Sequence, residues 1–91
     1  VVGDKHEWVH KKKLLERARK VEGQASAVRR MVDEERDCRE ILQQVAALNS
    51  AAQSLALLIL QDHLEARVNE GSTGADIAEE TSTLIGRILK I

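Results

Sequence analysis

Apolar residues recur every three or four positions along most of this chain, and two breaks divide the pattern into three stretches. Over residues 6–33 the run Leu14, Ala18, Val21, Ala25, Val28, Val32 has the 4-3-4-3-4 spacing of a stripe on one helical face. Gly23 inside this stretch costs about 1 kcal/mol relative to alanine, and its expected use is close approach of another helix. The charged run Asp33-Glu34-Glu35-Arg36-Asp37 breaks the pattern. Asp37 then reads as the N-cap of a second helix over residues 38–69, with Glu40 placed as in a capping box. Its stripe, Leu42, Val45, Leu48, Ala52, Leu55, Ile59, is broadened by Ile41, Ala46, Ala51, Leu58 and Leu60. Such a face predicts a central helix packed on more than one side. Residues 70–74 end it, with Gly71 as the C-terminal cap. A third helix over residues 75–90 groups Ile77, Leu84, Ile85, Ile88 and Leu89. The pattern is all-α: one three-helix domain with a frayed start over residues 1–5.

Composition sharpens this picture. The 91 residues include no Pro, Phe or Tyr, and 43% are hydrophobic. A chain of this size buries a thin core alone, so self-association is expected. A single cysteine excludes an internal disulfide and fits a reducing cytoplasm. The charged first twenty residues do not read as a signal peptide. Asn49, Ser50, Gln53 and Ser54 interrupt the longest apolar stretch, so no membrane span is expected. The net charge of −1 hides an asymmetry: residues 1–30 carry nine Lys/Arg against four acids, and residues 31–91 carry five against eleven. A basic half points to an anionic partner, or else to a solvated helix face.

The candidate chemistry lies in one cysteine and three histidines. Cys38 would be the first residue of the second helix, where the helix dipole favours a thiolate, the metal-binding form. His63 lies 25 residues further on, or roughly 37 Å along a helix, so the two cannot meet within one chain. If two copies of the helix pair antiparallel, Cys38 of one arrives beside His63 of the other. A hairpin turning near residue 35 also brings His6 to the His63 end. The expected site is His6 and His63 from one chain with Cys38 from another, and His10 is a possible substitute ligand. Two imidazoles and a thiolate suit Zn, Ni, Co or Cu. A cysteine at a helix start is also often just a small packed residue, and a helical histidine a surface one. No oxyanion-hole loop or substrate pocket is indicated around Cys38 and His63, so an enzyme is not expected.

The string Lys11-Lys12-Lys13-Leu14-Leu15, followed by Arg17-Ala18-Arg19-Lys20-Val21-Glu22-Gly23-Gln24, resembles the first helix of the CsoR/RcnR family of bacterial repressors. Asp37-Cys38 with Ile41-Leu42-Gln43-Gln44-Val45-Ala46-Ala47 resembles the start of that family's second helix, and His63 in Asp62-His63-Leu64 stands at its histidine position. The resemblance covers nearly the whole chain. It implies a three-helix protomer, an antiparallel dimer, and dimers pairing into a tetramer. It implies a transcriptional repressor that holds operator DNA without effector and releases it when effector binds. The family has no helix-turn-helix; it reads DNA through basic residues and DNA shape. Arg17 matches a family basic position, and Arg19, Lys20 and Lys13 extend the patch. Asn49 replaces the arginine usual in the second helix, which removes one expected cationic contact.

The resemblance also frames the effector. Copper sensors of the family add a second cysteine four residues after the histidine, and nickel and cobalt sensors place His or Cys there. Here that residue is Arg67, whose guanidinium cannot ligate a metal. Soft Cu(I) prefers two thiolates, so Ni, Co or Zn is favoured over Cu(I). His6 matches the N-terminal histidine of the nickel and cobalt sensors. Persulfide sensors need two cysteines. Formaldehyde sensors keep the cysteine and join it to an N-terminal proline amine; here the matching position is Lys5. A formaldehyde- or thiol-reactive repressor using Cys38 is the alternative. Arg67 would act electrostatically, beside the thiolate of Cys38.

Overall fold

The computed structural model describes residues 8–90, and among these there are three helices and no strand: α1 (Lys11–Asp33), α2 (Cys38–Asn69) and α3 (Gly74–Leu89). The sequence explains where α2 begins and ends. Asp37 caps it, its Oδ1 accepting the N–H of Arg39 at 3.0 Å. Glu40 does not complete a capping box; Arg36 donates to its carboxylate at 2.6 Å. At the far end Gly71 adopts φ 78°, while Ser72 N–H donates to the Arg67 carbonyl and Gly71 N–H to that of Val68. That pair of bonds is a Schellman motif, and the positive φ suits glycine. The same motif ends α1, with Arg36 N–H on the Met31 carbonyl and Glu35 N–H on that of Val32. There Glu35 takes the left-handed position at φ 54°, which costs an L-residue about 1 kcal/mol. Thr73 caps α3, its Oγ1 accepting the N–H of Asp76 at 3.2 Å.

α1 runs antiparallel along α2, and α3 folds back on α2 alone. The α1–α2 seam is a 3-4 repeat on both helices. On α1 the half-buried or buried positions include Leu14, Arg17, Val21, Gln24, Val28 and Met31 at this spacing; on α2 they include Ile41, Gln44, Leu48, Ala51, Leu55, Leu58 and Asp62. This is the spacing of helices that wrap with a left-handed twist. It corrects the stripe expected on α1, because Ala25 and Val32 are exposed. The seam uses Arg17 and Gln24 instead, polar residues that hide it from a hydrophobic pattern. Arg17 is held there by donating to the Ser54 carbonyl at 3.1 Å. A Cβ on Gly23 would meet nothing within 4 Å, so its close approach is not to another helix of this protomer. On α3, Ile77, Leu84 and Ile88 turn inward, while Ile85 and Leu89 stay exposed.

The core is thin. Among the described residues only Leu14, Ala51, Leu58 and Ala66 are buried apolar side chains. Leu42, Val45 and Ile59 remain 66%, 39% and 42% exposed on one side of α2. Together with Cys38, Asn49, Ala52, Ala56 and His63 they form a second 4-3 seam that neither α1 nor α3 covers, although α3 packs against its His63 end. An open apolar seam of this length marks an interaction surface. No described helix is long and apolar enough to cross a membrane.

Candidate metal centre and basic face

Cys38 and His63 stand at the two ends of the open seam. Cys38 is a free, exposed thiol at the first position of α2. His63 is half-buried between α2 and α3, and its Nε2 lies 2.8 Å from Oε2 of Glu80. A carboxylate can only accept, so Nε2 carries the hydrogen and ligation of a metal would fall to Nδ1. The other oxygen of Glu80 accepts from the Arg67 guanidinium at 2.7 Å, and Arg67 also lies 3.8 Å from Glu70. Glu80 therefore ties α3 to α2 through both His63 and Arg67. The buried Nε of Arg67 has no hydrogen-bond partner. Its charge is matched by two carboxylates of its own protomer, which competes with the role expected for it beside Cys38. A cleft of about 540 Å³ opens here, with Asp76, Glu79, Thr83, Leu84 and Arg87 on its walls.

His10 sits elsewhere. Its Nε2 is 3.0 Å from Oε2 of Glu65, and that bond, with a second from Gln61, holds the Glu65 carboxyl below its ordinary value. Glu65 is two residues after His63, or about 200° around the helix, so His10 and His63 lie on different sides of α2. His6 and Lys5 lie outside the described residues. α1 itself begins at Lys11 rather than near residue 6, and residues 8–10 are not helical. The main-chain N–H groups of Val9 and His10 are instead held by Asp62 of α2, at 2.9 and 2.6 Å. Periodicity along the sequence cannot show this contact, because it joins residues 53 positions apart. Among the described residues no group of three or more His, Cys, Asp or Glu side chains of one protomer could hold a metal. The thiol and imidazole fit a borderline metal in kind, but only if different protomers supply them.

Two apolar grooves flank Ile59. One, of about 270 Å³, lies between the start of α1 and α2 and includes Trp8, Leu15 and Leu55. The other, of about 310 Å³, lies between α2 and α3 and includes Leu60, Leu84 and Ile88. Both border the seam close to His63. On α1, Lys13, Arg19 and Lys20 are exposed, with Lys11, Lys12, Arg29 and Arg30. Lys13, Arg17 and Lys20 share one stripe of the helix. Arg17 is half-buried and commits one guanidinium nitrogen to Ser54, so it presents its charge from a fixed position.

Residues 10–88 match the family model of the metal-sensitive transcriptional repressor. The chain is 38% identical over 85 residues to the copper-sensing transcriptional repressor RicR of Mycobacterium tuberculosis, covering 88% of each chain. It is 41% identical over 54 residues to a transcriptional repressor RcnR homolog of Escherichia coli, covering 59% of this chain and 60% of that one. The nickel-responsive transcriptional regulator InrS superposes with a TM-score of 0.63 at 32% identity, covering 97% of this chain and 96% of that one. Proteins of this kind are transcriptional repressors, not enzymes. With a matching family model over most of its length and a helical relative of known structure, this chain belongs to the metal-sensitive transcriptional repressors of the CsoR/RcnR type.

Proposed function

We propose that this chain represses transcription by binding operator DNA as a tetramer, and that it releases the operator when a transition metal binds between subunits. The observation that carries this reading is the open seam on α2. Antiparallel pairing of two such seams places Leu42 against Ile59 of the partner subunit, Val45 against its Ala56, and Cys38 against its His63. The grooves on either side of Ile59 would receive the exposed Leu42. Each dimer would then hold two equivalent sites, as an isologous interface requires.

The donor set points to Ni, Co or Zn rather than Cu(I). It has one thiolate, one imidazole with a carboxylate behind it, and His6 as the further nitrogen. RicR is a copper sensor and InrS a nickel-responsive regulator, so relatives span both classes. Arg67 favours the nickel class, because a guanidinium bound to Glu80 adds no second soft ligand. A metal bound there supplies a fixed link between the two protomers. Within each protomer, Glu80 orients the His63 ring, and Lys13, Arg17, Arg19 and Lys20 face the phosphates. Release follows only if the liganded tetramer sets these cations in a register that fits the operator less well. Glu80→Gln keeps the shape but removes the anionic acceptor behind His63. It is expected to weaken metal binding about 10- to 100-fold in competition titrations. Unchanged affinity would remove Glu80 from the site.

The test is operator binding by the reduced, metal-free protein, titrated in parallel with Ni, Co, Zn, Cu(I) and formaldehyde. Release by one metal, abolished in Cys38→Ala, is the expected result. Release by formaldehyde and by no metal would instead favour the reactive-cysteine reading. In that chemistry the Cys38 thiol and an amine such as Lys5 are joined through one methylene group with loss of water.

A further inference from the structure

The first turn of α1 runs against its own electrostatics. It opens with Lys11, Lys12 and Lys13, contains no acid, and has His10 at the N-cap without a side-chain cap. Helix N-termini favour anions and small polar caps, so three ammonium groups there are unfavourable. What holds this end comes from α2. Asp62 is the one fully buried side chain among the described residues, and its Oδ2 accepts the N–H groups of both Val9 and His10. A buried carboxylate is costly unless it is hydrogen-bonded, and two main-chain donors at a helix N-terminus satisfy it. Glu65, nearly one turn further along α2, adds a bond to the His10 ring. A chain that breaks local helix rules at one place and repairs them from 53 residues away invites a functional reason.

That reason lies in the next residue. Asp62 is joined by one peptide bond to His63, and the two side chains face different neighbours. Asp62 holds α1, and His63 reaches Glu80 of α3. We propose that Asp62 is the positioning residue that couples His63 to the lysine-rich first turn of α1. It holds Lys11, Lys12 and Lys13 in place while the operator is bound, and it passes a displacement of α2 at residue 63 to them. This rests on the reading of His63 as an effector ligand and of the α1 cations as operator contacts. An Asp62 that serves only as a cap would alter stability and leave the coupling between the two sites unchanged.

Trp8, the only tryptophan, adjoins the tethered Val9 and so reports on this end of α1. Three readouts are needed on the whole protein, with Ni(II) as the probe: exchange of the Val9 and His10 amides, Trp8 emission, and operator affinity with and without metal. In the wild type, Ni(II) is expected to change both the amide exchange and the emission as the operator is released. In Asp62→Ala the two amides should exchange at least ~10-fold faster without metal. Ni(II) should still bind, but the ratio of operator affinities without and with metal should fall toward one. Asp62→Asn, which keeps an acceptor oxygen, should recover part of that ratio. An Asp62→Ala protein with the wild-type ratio overturns the proposal. So does wild-type release with the Val9 and His10 exchange and the Trp8 emission unmoved, a result that does not depend on the variants folding and leaves the repressor reading standing. If Ni(II), Co(II) and Zn(II) all fail to release the wild type from its operator, that reading falls and takes this one with it.

Discussion

Leu42→Asp is expected to separate the proposed dimer into protomers without unfolding them. Leu42 is 66% exposed in the isolated protomer, so an aspartate there meets water and the three helices lose little. In the antiparallel pair the same carboxylate would be driven into the grooves beside Ile59 of the partner subunit. Those grooves are apolar except for the exposed Lys11 at the rim of one and Arg87 at the rim of the other, whose solvated charges offset only part of the cost of burying it. An unpaired buried charge costs about 3 kcal/mol or more, and a two-fold interface contains the substitution twice. The dissociation constant should therefore rise by well over ~100-fold. Sedimentation of metal-free protein should show the mass falling while circular dichroism keeps its helical signal. Under the proposed pairing, metal affinity and operator binding should fall together. A variant that sediments like the wild type would place the interface on another face of the protomer, and Cys38 would lose its partner.

The residues behind this expectation are legible in the sequence because their signals are local. The Asp37 cap, the stop at Gly71 and the 25-residue interval between Cys38 and His63 lie in continuous stretches, so the pattern of residues alone bounds α2. Its doubled apolar surface is visible too, although the pattern does not divide into one seam for α1 and another left open. Polar residues hide that division: Arg17, Gln24 and Gln44 sit inside the filled seam, and Asn49 in the open one. The start of α1 is obscured for a related reason. Trp8, Val9 and His10 carry nothing that forbids a helix, and Asp62 holds the backbone of Val9 and His10 from another element. Contacts of this kind depend on how α1 and α2 align, which a periodicity within one helix does not report. The tie from Glu80 to His63 and Arg67 is hidden on the same ground, since it crosses from α3 to α2.

Cys38→Ala and His63→Ala should each abolish metal binding alone, yet regain part of it when mixed. In an antiparallel dimer, a Cys38→Ala chain still offers His63 and a His63→Ala chain still offers Cys38. A dimer containing one of each has an intact pair at one end and neither residue at the other. Dissociating the two variants and reassociating them in equal amounts gives heterodimers in about half the population. Capacity should then return to about a quarter of the wild-type value, against none for either variant alone. Competition titration with Ni(II) reads this directly, and the recovered sites should have wild-type affinity. A site contained within one protomer would give no recovery at all. A parallel pairing would give none either, since it sets Cys38 against its own counterpart and leaves His63 roughly 37 Å away along the helix. The separation of Cys38 and His63 on one helix, which rules out a site within the protomer, thus becomes a measurement of how two protomers align.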